Sequence, residues 1–179
     1  SAFVQHMREY CDFLRNEYTL NFSLLATSGE LISGRFIDID SKEFNPSTKI
    51  FEKGFYTNSF HINVDSDMMA FKKLLYEGVF HKMCNGGCIT YVELGEAPLG
   101  NDEGLLEYVE HAIKSGVHYL GFNFPKDVCN GCGASGVFDE CPICKSKDIT
   151  RIRRVSGYLE ILDGFTKGKK NEEKNRRAN

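Results

Sequence analysis

The N-terminal part of the chain combines one helical and three strand-like patterns of apolar residues. Residues 2–17 carry apolar side chains at i, i+3, i+4 and i+7 spacing, which predicts an amphipathic helix. The segments 21–27 (NFSLLAT), 34–40 (GRFIDID) and 60–64 (FHINV) are short and either apolar or alternating. Each of these three segments predicts a strand.

A regular alternation of helices and strands follows. It begins with the strand at 60–64. The later elements are a helix with apolar positions at 69–79, a strand at 88–94, a helix with apolar positions at 105–113 and a strand at 117–124. Ser66 or Asp67 can cap the first helix. Asn101 or Asp102 can cap the second helix, and Gly116 stands where a left-handed C-terminal residue is expected. This order with short connections is typical of parallel βαβ units, so the fold class is α/β.

Composition narrows the class of protein. The chain contains seven cysteines. The first residues carry charges where a signal peptide would need an apolar run, so we expect no secretory signal. An odd number of cysteines without such a signal argues against a disulfide framework and points to a metal. No stretch approaches the roughly 18 apolar residues that cross a membrane, so we expect a cytoplasmic protein without a membrane segment. Residues 167–179 are predominantly basic. Such a tail is compatible with a nucleic-acid or acidic partner, but we expect a solvated terminus that frays.

Four of the cysteines form two CxxC pairs, CNGC (129–132) and CPIC (141–144), eight residues apart. Two such pairs provide the tetrahedral sulfur ligands of a closed, structural zinc site. The expected ligands are Cys129, Cys132, Cys141 and Cys144. A redox-active CxxC, unpaired surface thiols and rubredoxin-like iron are the alternatives, because sulfur ligands alone do not distinguish zinc from iron.

The segment RRVSGYL (153–159) places Gly157 between small and aromatic residues, shortly after the cysteines. On spacing alone, Gly157 is a turn glycine with positive φ. However, RRVSGYL followed by GF-x-KGK-x-x-E resembles the glycyl-radical signature of the anaerobic, class III ribonucleoside-triphosphate reductases. The resemblance continues in segments 21–30 (NFSLLATSGE), 55–64 (FYTNSFHINV), 85–96 (NGGCITYVELGE) and 121–133 (GFNFPKDVCNGCG). Cys88 departs from it, because the family often has histidine there.

This resemblance implies a fold and its division. The chain would form the C-terminal half of the ten-stranded α/β barrel of glycyl-radical enzymes, with a small four-cysteine zinc-ribbon module and a glycyl radical loop. The implied parts are the barrel portion (1–126), the zinc-binding module (127–150), the radical loop (151–166) and a charged C-terminal tail (167–179).

The resemblance also implies an oxidoreductase that reduces ribonucleoside triphosphates to deoxyribonucleotides. A radical S-adenosylmethionine activase with an iron–sulfur cluster would remove a hydrogen atom from Gly157. The radical would then pass to a cysteine, whose thiyl form abstracts the 3′-hydrogen of the ribonucleotide. In the family that cysteine lies far upstream, so we expect this chain to be incomplete and inactive alone. The implied partners are the N-terminal portion, formate or a thiol protein as reductant, and a second copy of the full enzyme in a homodimer.

Several polar residues are candidates for substrate contacts. They are Thr27, Ser28, Asn58, Ser59, His61 and Glu93. Amides and hydroxyls at strand ends orient sugars and phosphates, although Asn58 and Ser59 equally suit a turn. Glu93 alternates with apolar neighbours and is a candidate proton-handling carboxylate that points into the barrel.

Two other functions compete with this hypothesis. A glycyl-radical repair subunit would replace a damaged C-terminus in another chain, but the long reductase-like stretch before residue 120 argues against it. A nucleic-acid-binding zinc ribbon would need basic and aromatic residues interleaved around the cysteines. Residues 129–150 offer only Lys145 and Lys147 as basic groups.

Overall fold

The computed structural model describes residues 1–27, 29, 32–44, 49–155 and 157–179, and that part of the chain contains six α-helices and two sheets. The helices are α1 (Ala2–Tyr18), α2 (Ile32–Glu43), α3 (Lys49–Lys53), α4 (Ala70–His81), α5 (Asp102–Ser115) and α6 (Lys167–Asn175). The strands are β1 (Thr90–Glu93), β2 (Leu120–Asn123), β3 (Lys126–Cys129), β4 (Ser135–Gly136), β5 (Ile149–Val155) and β6 (Tyr158–Ile161).

Of the two successive parallel βαβ units predicted, the second is confirmed, whereas the first is absent because residues 60–64 form no strand. Strand β1 pairs in parallel with β2, and α5 connects them. The side chain of Asn101 accepts a hydrogen bond from the N–H of Gly104 at the start of α5, and Gly116 ends it with φ 84°. Helix α4 packs against α5 and β1. The apolar core between them contains Ala70, Leu74, Val92, Ala112 and Val117.

A second sheet connects the cysteines to the glycine segment. Its strand order is β4-β3-β5-β6, and all its pairs are antiparallel. Strand β3 ends at Cys129, and the next strand in the sheet, β5, ends two residues before Gly157. The sheet therefore fixes the position of Gly157 relative to the cysteines.

Three predicted strands are wrong, and one helix start is shifted. Residues 34–40 belong to α2, which packs against α6, and such tertiary packing overrides a local alternation. A Cβ added at Gly34 would stand 2.7 Å from the Cα of Gly168. Residues 21–27 contribute only an isolated bridge between Leu25 and Gly87. Residues 60–64 form no strand, because their backbone groups form hydrogen bonds with groups that are not in a neighbouring strand. The Ile62 N–H, for example, donates to a side-chain carboxylate.

The start of α4 also differs from the prediction, whereas α1 agrees with it. Met69, rather than Ser66 or Asp67, precedes the first helical residue, and no side chain caps the helix there. The Ser66 hydroxyl instead accepts a hydrogen bond from the N–H of Met68, within the approach to the helix. The helix predicted at 2–17 is present as α1. Among the described residues, every helix is too short or too polar to span a bilayer.

The expectation of a frayed C-terminus is also wrong. Residues 167–175 form α6, in which Lys169 and Glu172 are buried. The Lys169 ammonium donates to the hydroxyl of Tyr158 at 2.8 Å and to Glu160 at 3.0 Å. Part of the charge in this segment therefore pairs with buried groups of the protein, which its composition alone does not reveal.

The contact between α4 and α5 depends on a glycine. A Cβ added at Gly78 would lie 2.2 Å from the carbonyl oxygen of Ser115, a backbone atom that cannot move aside cheaply. We expect Gly78→Ala to lower the free energy of unfolding by roughly 1–2 kcal/mol, although alanine normally favours a helix by about 1 kcal/mol. Gly95→Ala is the control, since nothing lies within 4 Å of its added Cβ. Urea denaturation of both variants measures this change. An unchanged or raised stability of Gly78→Ala would contradict the close contact between α4 and α5 at Gly78.

Candidate functional site

The four cysteines of the two CxxC pairs converge on one point. Their sulfur atoms all lie within 4.8 Å of one another. The Sγ atoms of Cys129 and Cys144 are 3.4 Å apart, and those of Cys132 and Cys141 are 3.5 Å apart. Four thiolates around zinc, with Zn–S bonds of about 2.3 Å, stand about 3.8 Å from one another. The cluster therefore fits a metal ion with four sulfur ligands.

The two halves of the cluster have matching backbone turns. The N–H of Gly133 donates to the carbonyl of Cys129, and the N–H of Lys145 donates to the carbonyl of Cys141. Gly133 and Lys145 both have positive φ, of 76° and 60°. Backbone N–H groups of Cys144 and Ile143 lower the pKa of the Cys141 thiol to about 6. The pKa of Cys144 is raised to about 12, because the Ser146 N–H that lowers it is outweighed by hydrogen bonds with the Cys129 and Cys132 thiols. Cys141 is therefore predisposed to the thiolate form that metals bind.

Gly157 lies in the turn between β5 and β6, with φ 119°. The guanidinium of Arg154 donates to the carbonyl oxygen of Gly157 at 2.9 Å and to the hydroxyl of Tyr91 at 3.2 Å. Asn123, the last residue of β2, donates to the carbonyl of Arg154 at 3.3 Å. These contacts hold the hairpin turn beside the carboxyl ends of the parallel strands.

Four of the predicted residues line one cavity, namely Asn58, His61, Glu93 and Gly157. Thr27 lines a neighbouring cavity that also reaches Gly157. Ser59 lies apart from Gly157, in a third cavity with Thr27 and His61. Ser28 lies outside the described residues. The structure therefore brings together most, but not all, of the residues selected from the sequence.

Asn58 and Glu93 are both engaged by the protein itself. The amide oxygen of Asn58 accepts a hydrogen bond from the N–H of Gly29 at 2.9 Å. The carboxylate of Glu93 accepts from Asn123 at 2.7 Å and forms an ion pair with Arg176. Glu93 is therefore a paired carboxylate here, and its role in proton handling stays a prediction.

Several residues of this region were not predicted from the sequence. Lys73, Tyr91, Asn123, Arg154 and Arg176 also line the cavity beside Gly157. Arg154 could have been predicted, because it precedes Gly157 by three residues in the same motif. Glu77 was also missed, although it follows Leu74 by three residues and therefore shares the buried face of α4.

Glu77 belongs to a buried polar network behind the cavity. Its carboxylate accepts hydrogen bonds from the N–H of Ile62 (2.9 Å) and the hydroxyl of Thr90 (2.8 Å), and it lies 3.1 Å from Nδ1 of His61. Burial raises the pKa of Glu77, but hydrogen bonding and the charges of His61 and Lys73 outweigh it, so the net shift is downward.

His81 completes the network. Its Nδ1 accepts a hydrogen bond from the N–H of His118 at 3.1 Å, and its Nε2 is 2.9 Å from the Thr90 hydroxyl. The ring is 1% exposed. Burial, reinforced by the neighbouring His118, lowers the pKa of His81 to about 4, so the folded protein holds this imidazole neutral.

Comparison with known proteins identifies the family. The sequence profile of the anaerobic ribonucleoside-triphosphate reductases matches residues 1–178. The chain is 35% identical to the reductase of that name from Escherichia coli over 187 aligned residues, which cover 98% of this chain and 26% of that protein. It is 34% identical to the one from Enterobacteria phage T4 over 162 residues, 84% of this chain and 26% of that protein.

Solved structures agree in fold. An anaerobic ribonucleotide reductase matches with a TM-score of 0.79 at 22% identity, over 98% of this chain and 28% of its own. The enzyme from Thermotoga maritima matches with a TM-score of 0.72 at 23% identity, over 91% of this chain and 26% of its own. The chain thus spans about a quarter of the length of its relatives.

The fold is that of the solved anaerobic ribonucleotide reductases. The chain belongs to the anaerobic ribonucleoside-triphosphate reductase family.

The neutral His81 predicts how stability depends on pH. The unfolded chain binds a proton at this residue near pH 6.5, whereas the folded protein does so only near pH 4. The contribution to stability is therefore complete above pH 6.5 and is lost progressively as the pH falls towards 4, by roughly 2–3 kcal/mol. Urea denaturation at several pH values should give a flatter profile for His81→Gln over this window. Parallel profiles for the two proteins would contradict the assignment.

Proposed function

We propose that this chain is the C-terminal portion of an oxygen-sensitive reductase that converts ribonucleoside triphosphates to deoxyribonucleotides, and that Gly157 stores its radical. The proposal depends mainly on one arrangement. The turn that carries Gly157 shares a sheet with the cysteine cluster and borders a cavity lined by Asn58 and His61. Family membership supports the reaction, because the named relatives are anaerobic ribonucleoside-triphosphate reductases.

The cysteine cluster is proposed to bind one structural zinc ion. Four sulfur ligands leave no open coordination position, so the metal would fix the fold without contacting substrate. Bound metal would anchor β3 and the start of β5, and β5 leads directly to the Gly157 turn. Structural zinc contributes roughly 10–16 kcal/mol in small peptides, which is ample for a segment rich in turns.

Gly157 is suited to hold an unpaired electron. The radical left after loss of an α-hydrogen is delocalised between the adjacent amide nitrogen and carbonyl, and glycine has no side chain to block access. Arg154 donates a hydrogen bond to that carbonyl oxygen. A radical S-adenosylmethionine activase with an iron–sulfur cluster would remove the hydrogen atom.

The remaining parts of the enzyme are proposed from the family. The N-terminal portion would complete the ten-stranded barrel around the parallel strands β1 and β2, and would supply the thiyl cysteine. Formate or a thiol protein would serve as reductant, and the full enzyme would be a cytoplasmic homodimer. Asn58, Ser59, His61, Thr27, Ser28 and Glu93 stay candidates for substrate contacts.

The nucleic-acid alternative is not favoured by the charges of β5. Arg151 pairs with Asp139, and Arg153 pairs with Asp127 and Glu173. The third arginine of β5, Arg154, donates to Tyr91 and Gly157. A basic strand in which two guanidinium groups have carboxylate partners and the third is bound internally has little charge left for phosphates. A stand-alone repair subunit is likewise not favoured, because it would have no use for a cavity with candidate substrate contacts.

The zinc proposal predicts a stoichiometry. Purified protein should contain one zinc and no iron per chain by elemental analysis. Cys141→Ser should lose most of the metal, since three thiolates cannot close the site. Cys11→Ser, which removes a thiol of α1 outside the cluster, should keep it. Less than half an equivalent of zinc in the wild type, or full zinc in Cys141→Ser, would refute the assignment.

The radical proposal predicts a defined signal at Gly157. With the upstream portion and the activase supplied anaerobically, electron paramagnetic resonance should show a doublet from the single remaining α-hydrogen, which deuterated glycine should collapse. Air should then cleave the backbone at this residue.

Gly157→Ala should abolish both the signal and the cleavage while leaving zinc content intact. Gly164→Ala, in the turn that follows β6, should keep both. A signal that survives Gly157→Ala, or cleavage at another residue, would rule out Gly157 as the radical site.

A further inference from the structure

The buried face of α4 carries a carboxylate that the proposed radical chemistry does not use. Glu77 is fully buried, with an exposed fraction of 0%. Burying a charge is costly unless hydrogen bonds compensate for the lost water. Here Ile62, Thr90 and His61 surround the two carboxylate oxygens. Hydrogen-bond partners occupy both of its oxygens, which indicates a defined role for the Glu77 carboxylate.

The network allows only one placement of its protons. Because Nδ1 of His81 accepts the N–H of His118, the proton of the neutral ring is on Nε2 and is donated to the Thr90 hydroxyl. The hydroxyl proton of Thr90 then points to Glu77. An ionised carboxylate has no proton to give, so the contact between Glu77 and His61 requires a proton on Nδ1 of His61.

The second nitrogen of His61 is then a free acceptor when the ring is neutral. The ring borders the cavity that contains Asn58 and Gly157. Its side chain is 18% exposed, and among the hydrogen bonds of the described residues none involves Nε2. The ring of Phe60, 4.8 Å away between centroids, packs beside it. A neutral imidazole held by a carboxylate in this way is the arrangement of a general base.

We propose that His61 is the general base for a hydroxyl group of the ribose, and that Glu77 is its positioning residue. Nε2 would accept the proton as the substrate O–H bond breaks and an N–H bond forms, and the electron pair of the broken bond would stay on the ribose oxygen. The resulting imidazolium would be balanced by the Glu77 carboxylate until the proton returns to solvent. This proposal rests on the proposed function, because it requires a ribonucleotide in the cavity beside Gly157.

The first experiment concerns the tautomer and needs only this chain. Nitrogen-15 NMR of the five histidines should show His61 protonated at Nδ1 and unprotonated at Nε2 in the neutral state. In Glu77→Gln the fixed N–H of Ile62 should keep the amide oxygen, so the amide N–H₂ faces His61. The proton of His61 should then move to Nε2.

Thr90→Val is the matched control for this experiment. It removes another buried hydrogen bond of the network but retains Glu77, so the His61 tautomer should stay as in the wild type. Protonation of Nε2 in the neutral wild-type ring, or an unchanged tautomer in folded Glu77→Gln, would overturn the positioning role. If Glu77→Gln does not fold, the His61 tautomer in the wild-type spectrum alone tests the positioning role.

The second experiment uses the chain together with its upstream portion. Glu77→Gln should lower kcat by about 10²-fold or more with little change in KM, because a misprotonated base affects the chemical step. Glu110→Gln, the same substitution on the exposed face of α5, should retain wild-type kcat. An unchanged kcat in Glu77→Gln would overturn the general-base role.

The radical signal separates this proposal from the proposed function. Wild type and Glu77→Gln should carry the same Gly157 radical, since Glu77 does not contact that residue. A wild-type enzyme without a Gly157 radical would defeat the proposed function and the general-base role with it. The tautomer experiment would still decide whether Glu77 positions His61.

Discussion

Few apolar side chains are buried in the described part of the chain that follows residue 125. This scarcity is the constraint that determines how the Gly157 hairpin is held. Among the described residues beyond 125, only Cys129, Cys141, Val155 and Phe165 are buried apolar side chains. Burying one large apolar side chain contributes about 1.5–3 kcal/mol, whereas ordering the backbone costs roughly 1–2 kcal/mol for every residue. An apolar core alone therefore cannot order more than fifty residues that include the Gly157 turn.

A metal bound at the cysteine cluster would supply stability that the apolar core lacks, and ion pairs fix the arrangement. The cysteine cluster closes one end of the second sheet. At the other side of β5, Arg153 joins Asp127 of β3 to Glu173 of α6. Arg176 similarly joins the end of α6 to Glu93 of β1. Partly buried ion pairs add little net stability, but removing one partner leaves an uncompensated charge, so such pairs fix one particular arrangement.

The features that local chemistry determines were predictable from the sequence. Paired cysteines at CxxC spacing have few uses other than a metal site, and Asn101 and Gly116 define the ends of α5 by their own backbone preferences. The parallel βαβ unit followed from apolar periodicity between these markers. The resemblance to the reductase family selected Gly157 and directed attention to Asn58 and His61, and alternation with apolar neighbours selected Glu93. The structure places these four residues around one cavity.

The features that distant contacts determine were not predictable in this way. Segment 34–40 alternates like a strand, yet it is helical where Gly34 meets Gly168, far along the chain. Residues 60–64 bond to Glu77 and not to a neighbouring strand, and nothing in their own pattern reveals that partner. The basic tail looked solvated because its carboxylate partners, such as Glu93, are remote in sequence.

The ambiguity of Gly157 shows why a site must be argued from its surroundings. A φ of 119° is reason enough for glycine at a hairpin turn, so the residue type and conformation agree equally well with a structural role. A turn glycine, however, needs no cation at its carbonyl and no polar cavity beside it. Arg154 lies at that carbonyl, and buried Glu77 aligns His61 at the edge of the same cavity. An ordinary turn requires neither the Arg154 contact nor the buried pair of Glu77 and His61. Their presence beside Gly157 favours a chemical role for this glycine.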